Sequence, residues 1–104
     1  MADARRLELQ SELESFFGSS NVYFQPPENI RIKYPAIVYY PSSSRARYAS
    51  NNLYLYRKRY SVTVMDKNPD ADWDKKMVSH FQYCSFDRAY AADNINHWLF
   101  TLYW

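Results

Sequence analysis

The sequence predicts an α+β fold: a mostly antiparallel β-sheet packed by an N-terminal helix and a short second helix, ending in a C-terminal β-hairpin. Three observations carry this reading. Apolar residues recur at helical spacing near the start, alternation runs from Leu53 to Met65, and two aromatic-rich runs meet at Asp93-Asn94 and stop at Trp104. With 104 residues the chain makes one domain, 1–104, large enough for a single core without staples.

Asp3 can cap a first helix, in which Leu9, Leu13, Phe16 and Phe17 share one face and Arg5, Glu8, Glu12 and Ser15 the other. Gly18 is the only glycine and stands where a helix closes on a left-handed residue, so the helix is expected from Ala4 to Phe17. Asn21 to Gln25 is a short β-prone run stopped by Pro26-Pro27. Ala36-Ile37-Val38-Tyr39-Tyr40 is continuously apolar, reads as a central strand and closes at Pro41. The polar run Ser42-Ser43-Ser44-Arg45-Ala46-Arg47 reads as a loop.

Alternation from Leu53 to Met65 predicts one long strand, or two joined by a turn at Arg57-Lys58-Arg59. Asp66-Lys67-Asn68-Pro69-Asp70 breaks it by turn chemistry. Asp70 or Asp72 can cap a second helix through Trp73, Met77 and Phe81, which share a stripe. The terminal hairpin follows, because an Asp-Asn pair tolerates the left-handed backbone of a tight turn. Trp104, with no polar tail after it, is expected to be tucked into a sheet or against another subunit.

Thirteen basic and eleven acidic side chains give a net charge of +2, lower than is usual for a general nucleic-acid binder. The start of the chain has no uninterrupted apolar run, so neither a signal peptide nor a membrane span is expected. One cysteine excludes an intramolecular disulfide and fits a reducing compartment. Aromatic residues make up 19% of the chain, more than a core of this size requires, which points to interfaces or base stacking.

Signals for chemistry are weak. His80 and Cys84 fall short of a zinc ligand set, and no metal or other cofactor is expected. Cys84, His97 and Asp87 can be arranged on paper as a triad, but no local signature supports it, and a buried, inert thiol is the better reading. Asp66, Asp70, Asp72 and Asp74 lack the glycine and terminal glutamate of a calcium loop. One glycine cannot make a phosphate cradle, so no catalytic residue and no enzyme activity is expected.

Three stretches, Tyr34 to Tyr39, Arg59 to Asp70, and Cys84 to Arg88 with Ala92 to His97 and Thr101 to Tyr103, resemble small virion proteins of tailed bacteriophages. The resemblance covers most of the chain and is to the tail terminator or tail completion family. It implies a helix packed on a sheet and a ring, in the family a hexamer, that caps the head-proximal end of the tail tube and joins the tail to the neck. The partners implied are further copies of this chain, the tail tube protein and the neck or connector proteins. DNA would pass through the channel without specific binding, and no membrane is involved. The protein would then reside in the virion, after assembly in the host cytoplasm.

A closed ring requires two different sticky surfaces on each subunit. Candidates for the contacts are Arg45, Arg47 and Tyr48 in the polar loop, the basic trio Arg57, Lys58 and Arg59, and the chain end at Trp104. Asp87, Arg88 and Asp93 are candidates for intersubunit ion pairs. Two other roles compete: a neck adaptor, and a nucleic-acid-binding module that uses the basic and tyrosine-rich strands.

Overall fold

The computed structural model describes residues 4–42 and 57–104. They form two helices and five strands in the order α1 (Ala4–Phe17), β1 (Val22–Phe24), β2 (Ala36–Pro41), β3 (Arg59–Asp66), α2 (Trp73–His80), β4 (Cys84–Ala92) and β5 (Ile95–Tyr103). The strands make a single sheet in the order β1-β2-β3-β5-β4. All neighbours are antiparallel except β1 and β2, which run parallel. The α+β class and the C-terminal hairpin therefore stand as the sequence predicted.

Helix α1 ends as expected. Gly18 takes φ 73°, and the Gly18 and Ser19 amides both donate to the Glu14 carbonyl, at 2.9 and 3.3 Å. A side chain at that φ would be strained, so the lone glycine sits where the backbone requires it. Leu9 and Leu13 are fully buried, and they join Ile37, Tyr39, Tyr60, Val62, Val64, Phe100 and Leu102 in the main core. Phe16 and Phe17 pack on Trp73 with ring centroids 6.0 and 4.9 Å apart, which ties α1 to α2. Both helices thus share the sheet face that carries the larger core.

Helix α2 follows a chain of side-chain bonds. Asp66 accepts from the Asn68 amide at 3.0 Å and from the Trp73 indole at 2.9 Å, and Asn68 accepts from the Asp70 amide at 3.0 Å. Asp72, not Asp70, occupies the N-cap position, and its side chain makes no cap bond. The acidic run is a turn that anchors Trp73. Phe81 lies just past the helix, and its amide closes the last turn on the Met77 carbonyl at 3.0 Å.

Among the described residues, the opposite face of the sheet carries a small cluster of Ala36, Val38, Met65 and Ile95. The segment joining β1 to β2 crosses this face: Ile32 packs on the cluster, and the Lys33 amide donates to the Tyr23 hydroxyl at 3.4 Å. Beyond that strap, Tyr40 and Tyr90 are exposed. Among the described residues, one face is a core and the other is half bare.

The alternation of Tyr60, Val62 and Val64 is realised in β3, which starts at Arg59. Lys58 continues the ladder rather than turning away: its amide donates to the Trp104 carbonyl at 3.1 Å and its carbonyl accepts from the Trp104 amide at 3.0 Å. Arg57-Lys58-Arg59 is therefore no hairpin tip, because residues paired to a neighbouring strand cannot also reverse the chain. Trp104 is tucked into the sheet by the same two bonds. The expected strand segment before Arg57 lies outside the described residues.

Candidate functional site

The hairpin β4–β5 is built by its turn. Asp93 and Asn94 adopt φ 54° and 64°, the left-handed pair that a two-residue turn demands, and Ala92 pairs with Ile95 across it. Strand β5 is then sandwiched between β3 and β4, whereas β4 is the last strand of the sheet. Eight of the nine β4 residues, all except Cys84, are exposed.

A bulge between Phe86 and Arg88 divides this strand. Before it, Cys84 pairs with Leu102 and Phe86 with Phe100, so both face the helix layer; the Phe86 and Phe100 rings lie 5.5 Å apart. After it, Arg88 pairs with Leu99 and Tyr90 with His97 on the opposite, bare face. Asp87 sits at the bulge and accepts from the Thr101 hydroxyl at 2.8 Å, which places its carboxylate on the bare face as well. Tyr90 stacks flat on His97 at 4.6 Å, and the Arg88 guanidinium lies 5.4 Å from the Tyr90 ring. His97 Nδ1–H donates to the Ile95 carbonyl at 3.1 Å.

A second feature is an open cleft of about 390 Å³ where α1, the end of α2 and the start of β4 meet the last residues of β5, lined among others by Arg5, Glu12, Arg57, His80, Tyr83 and Trp104. His80 Nε2 and Glu12 Oε2 are 2.7 Å apart on its rim, and the Arg57 guanidinium stacks 4.4 Å from the Tyr83 ring. Trp104 Nε1 and Arg59 Nε are buried without a hydrogen-bond partner among the described residues. Among the described residues that line it, the cleft carries an acid–base pair with cations and phenols around it, and no thiol or aliphatic hydroxyl.

The candidate residues therefore fall into three groups. Arg57, Lys58, Arg59 and Trp104 share the corner around the cleft, Asp87 and Arg88 sit together in the middle of β4, and Asp93 stands at the hairpin tip. Arg45, Arg47 and Tyr48 lie outside the described residues. The triad weighed from sequence is taken apart by the sheet. Cys84 pairs with Leu102 on the helix face and His97 with Tyr90 on the other, about 17 Å along the strand at the usual rise per residue. Burial pushes the half-buried Cys84 thiol up to about 12, with Asp87 adding to the rise, which disfavours the thiolate that a nucleophile requires. Among the described residues no group of His, Cys, Asp or Glu is arranged to hold a metal ion, and no helix is long and apolar enough to cross a membrane.

Sequence reasoning missed Tyr90, His97 and Phe86 as surface features. The signal was present in the hairpin: counted back from the two-residue turn, Tyr90 aligns with His97. Comparison with protein-family models, with curated proteins and with solved structures returned no match.

Proposed function

We propose that this chain is a structural virion protein that caps the head-proximal end of a phage tail tube as a ring, hexameric by analogy with the family it resembles, and joins the tail to the neck. The observation that carries the reading is the distribution of exposed apolar side chains over two different surfaces. Leu7 and Val78 stand out from the two helices, while Tyr40 and Tyr90 stand out from the bare sheet face. A ring closes by docking one surface of each subunit on a different surface of the next, so a subunit with two such surfaces suits it. The neck-adaptor role uses the same surfaces and is the nearest variant of this reading.

Light scattering across a concentration series, followed by particle imaging, tests it. The expected result is a closed ring with a central channel, either from the protein alone or once tail tubes are added. A chain that forms no ring and leaves tube ends unoccupied would overturn the proposal. One feature supports the nucleic-acid module instead: the row of Arg88, Tyr90 and His97 offers a cation beside stacked rings, as single-strand binders do. That module would bind single-stranded DNA with an affinity that falls steeply with salt.

A further inference from the structure

We propose that β4 is a self-pairing edge: two copies of this chain join their β4 strands antiparallel about a two-fold axis between Asp87 and Arg88, making one continuous sheet. The inference goes beyond the ring reading and does not rest on it. It starts from which way each β4 amide points. A two-residue turn makes Ala92 and Ile95 a pair that exchanges both of its hydrogen bonds, so Ala92, Tyr90 and Arg88 direct their backbone groups to β5. Ala91 and Ala89 direct theirs outward.

The other end of the strand is fixed independently. The Tyr103 amide donates to the Tyr83 carbonyl at 2.9 Å, so Tyr83 and Ser85 face β5, while Cys84 and Phe86 point their backbone groups outward. The outward residues are therefore 84, 86, 89 and 91. The bulge leaves two residues rather than one between 86 and 89. A regular strand added to this edge matches one half of it and is out of phase with the other.

A second β4 carries the same extra residue in the same place. Laid antiparallel about the stated axis, Cys84 meets Ala91 of the second copy and Phe86 meets Ala89, and the same pairs recur in reverse. Every outward residue then faces an outward residue. The side-chain faces agree too: 84, 86, 89 and 91 look to the helix layer, and Ser85, Asp87, Arg88 and Tyr90 to the bare face. Each pair is complementary. Phe86 lies beside alanine, Tyr90 beside Ser85, and Asp87 faces Arg88 twice, pairings that stabilise a sheet.

Among the described residues this edge is available. No described strand covers it. Cys84–Ala92 contains neither proline nor lysine, the residues that usually guard an edge, and Phe86 and Tyr90 remain exposed on it. The bulge, which in a monomer would serve as a guard, is the feature that selects an identical strand.

The test uses sedimentation and amide hydrogen exchange on the whole chain. Wild-type protein should pass from monomer to dimer as concentration rises, and the amides of Cys84, Phe86, Ala89 and Ala91 should become slow to exchange only in the dimer. Those of Arg88, Tyr90 and Ala92 should be slow in both forms. Asp87→Arg and Arg88→Asp each place like charges across the axis and should weaken the dimer roughly tenfold or more. Mixed together, the two variants should pair, since one then carries two arginines opposite two aspartates. Ala89→Pro, which removes an outward amide and none directed at β5, should weaken the dimer whether or not the charge variants fold. A monomer at all concentrations, a dimer whose four outward amides stay fast, or an Ala89→Pro variant that dimerises like wild type would overturn the proposal. Imaging of rings reports separately on the tail-cap reading, so either can fail while the other stands.

Discussion

β1 and β4 close the two ends of one sheet, and α1 covers only the first. At the β1 end, Gln10 reaches from the helix to donate to the Val22 carbonyl at 3.0 Å, and it accepts from the buried Tyr39 hydroxyl. Arg6 lies 4.4 Å from the centre of the Phe24 ring beside it. That edge is three residues long, and the Val22 amide on it also donates to the Ser20 carbonyl at 2.8 Å. At the β4 end eight of the nine residues are exposed, and no described strand pairs with the outer edge. One edge is thus held by the protein's own helix, while the other presents an unpaired strand among the described residues, which is a template for pairing.

The comparison can be broken most forcefully through the helix. Leu13→Ala should cost about 3 kcal/mol, from lost burial and the cavity left in the core, whereas Phe86→Ala on the open edge should cost about 1 kcal/mol or less. Urea unfolding of both variants measures this, and equal losses would mean that the two ends are not differently held. Gln10→Ala should cost about 2 kcal/mol, since it removes the bonds to the Tyr39 hydroxyl and the Val22 carbonyl together, and is read in the same experiment.

Proline substitutions sharpen the contrast within β4 itself. Tyr90→Pro removes an amide directed at β5 and should destabilise by about 1–2 kcal/mol more than Ala89→Pro, whose lost amide faces outward, when both are measured in dilute monomer. The effect that vanishes at neutral pH concerns Cys84. Its thiol is raised from 9.0 to about 12 by burial first and Asp87 second. Between those pH values the unfolded chain has lost the proton and the folded chain has kept it, so this group's contribution is intact below about pH 9 and is lost as pH rises towards 12. Thermal melts should show stability falling across that window for wild type and less so for Cys84→Ala, and alkylation at pH 8 should be slower in the folded chain than in urea.

Much of the fold could be read from local chemistry. Helix α1 was bounded correctly by Gly18 and by the Leu9, Leu13, Phe16 and Phe17 stripe, because capping and 3.6-residue periodicity are properties of short segments. The hairpin turn at Asp93-Asn94 was legible for the same reason, since few residue pairs accept two consecutive positive φ values. The helix cap was less so. Asp70 and Asp72 look equivalent in sequence; in the fold Asp72 takes the N-cap position, next to Trp73, whose indole donates to Asp66.

The candidate site was legible only in outline. Asp87, Arg88 and Trp104 were singled out by type, but their sequence neighbours do not say which face or edge they occupy. Continued without interruption from its turn, the hairpin would set Phe86 against Thr101 on the bare face; the bulge moves it to Phe100 and the core side. That shift follows from the packing of Phe86 and Cys84 against β5, a tertiary preference that no local pattern encodes. The amino-acid order by itself determined the elements, their ends and the turn, through backbone preferences and periodicity. That α1 reaches β1 while no described strand pairs with β4 follows only from the assembled fold, because edge cover depends on where a helix lands once the sheet has formed.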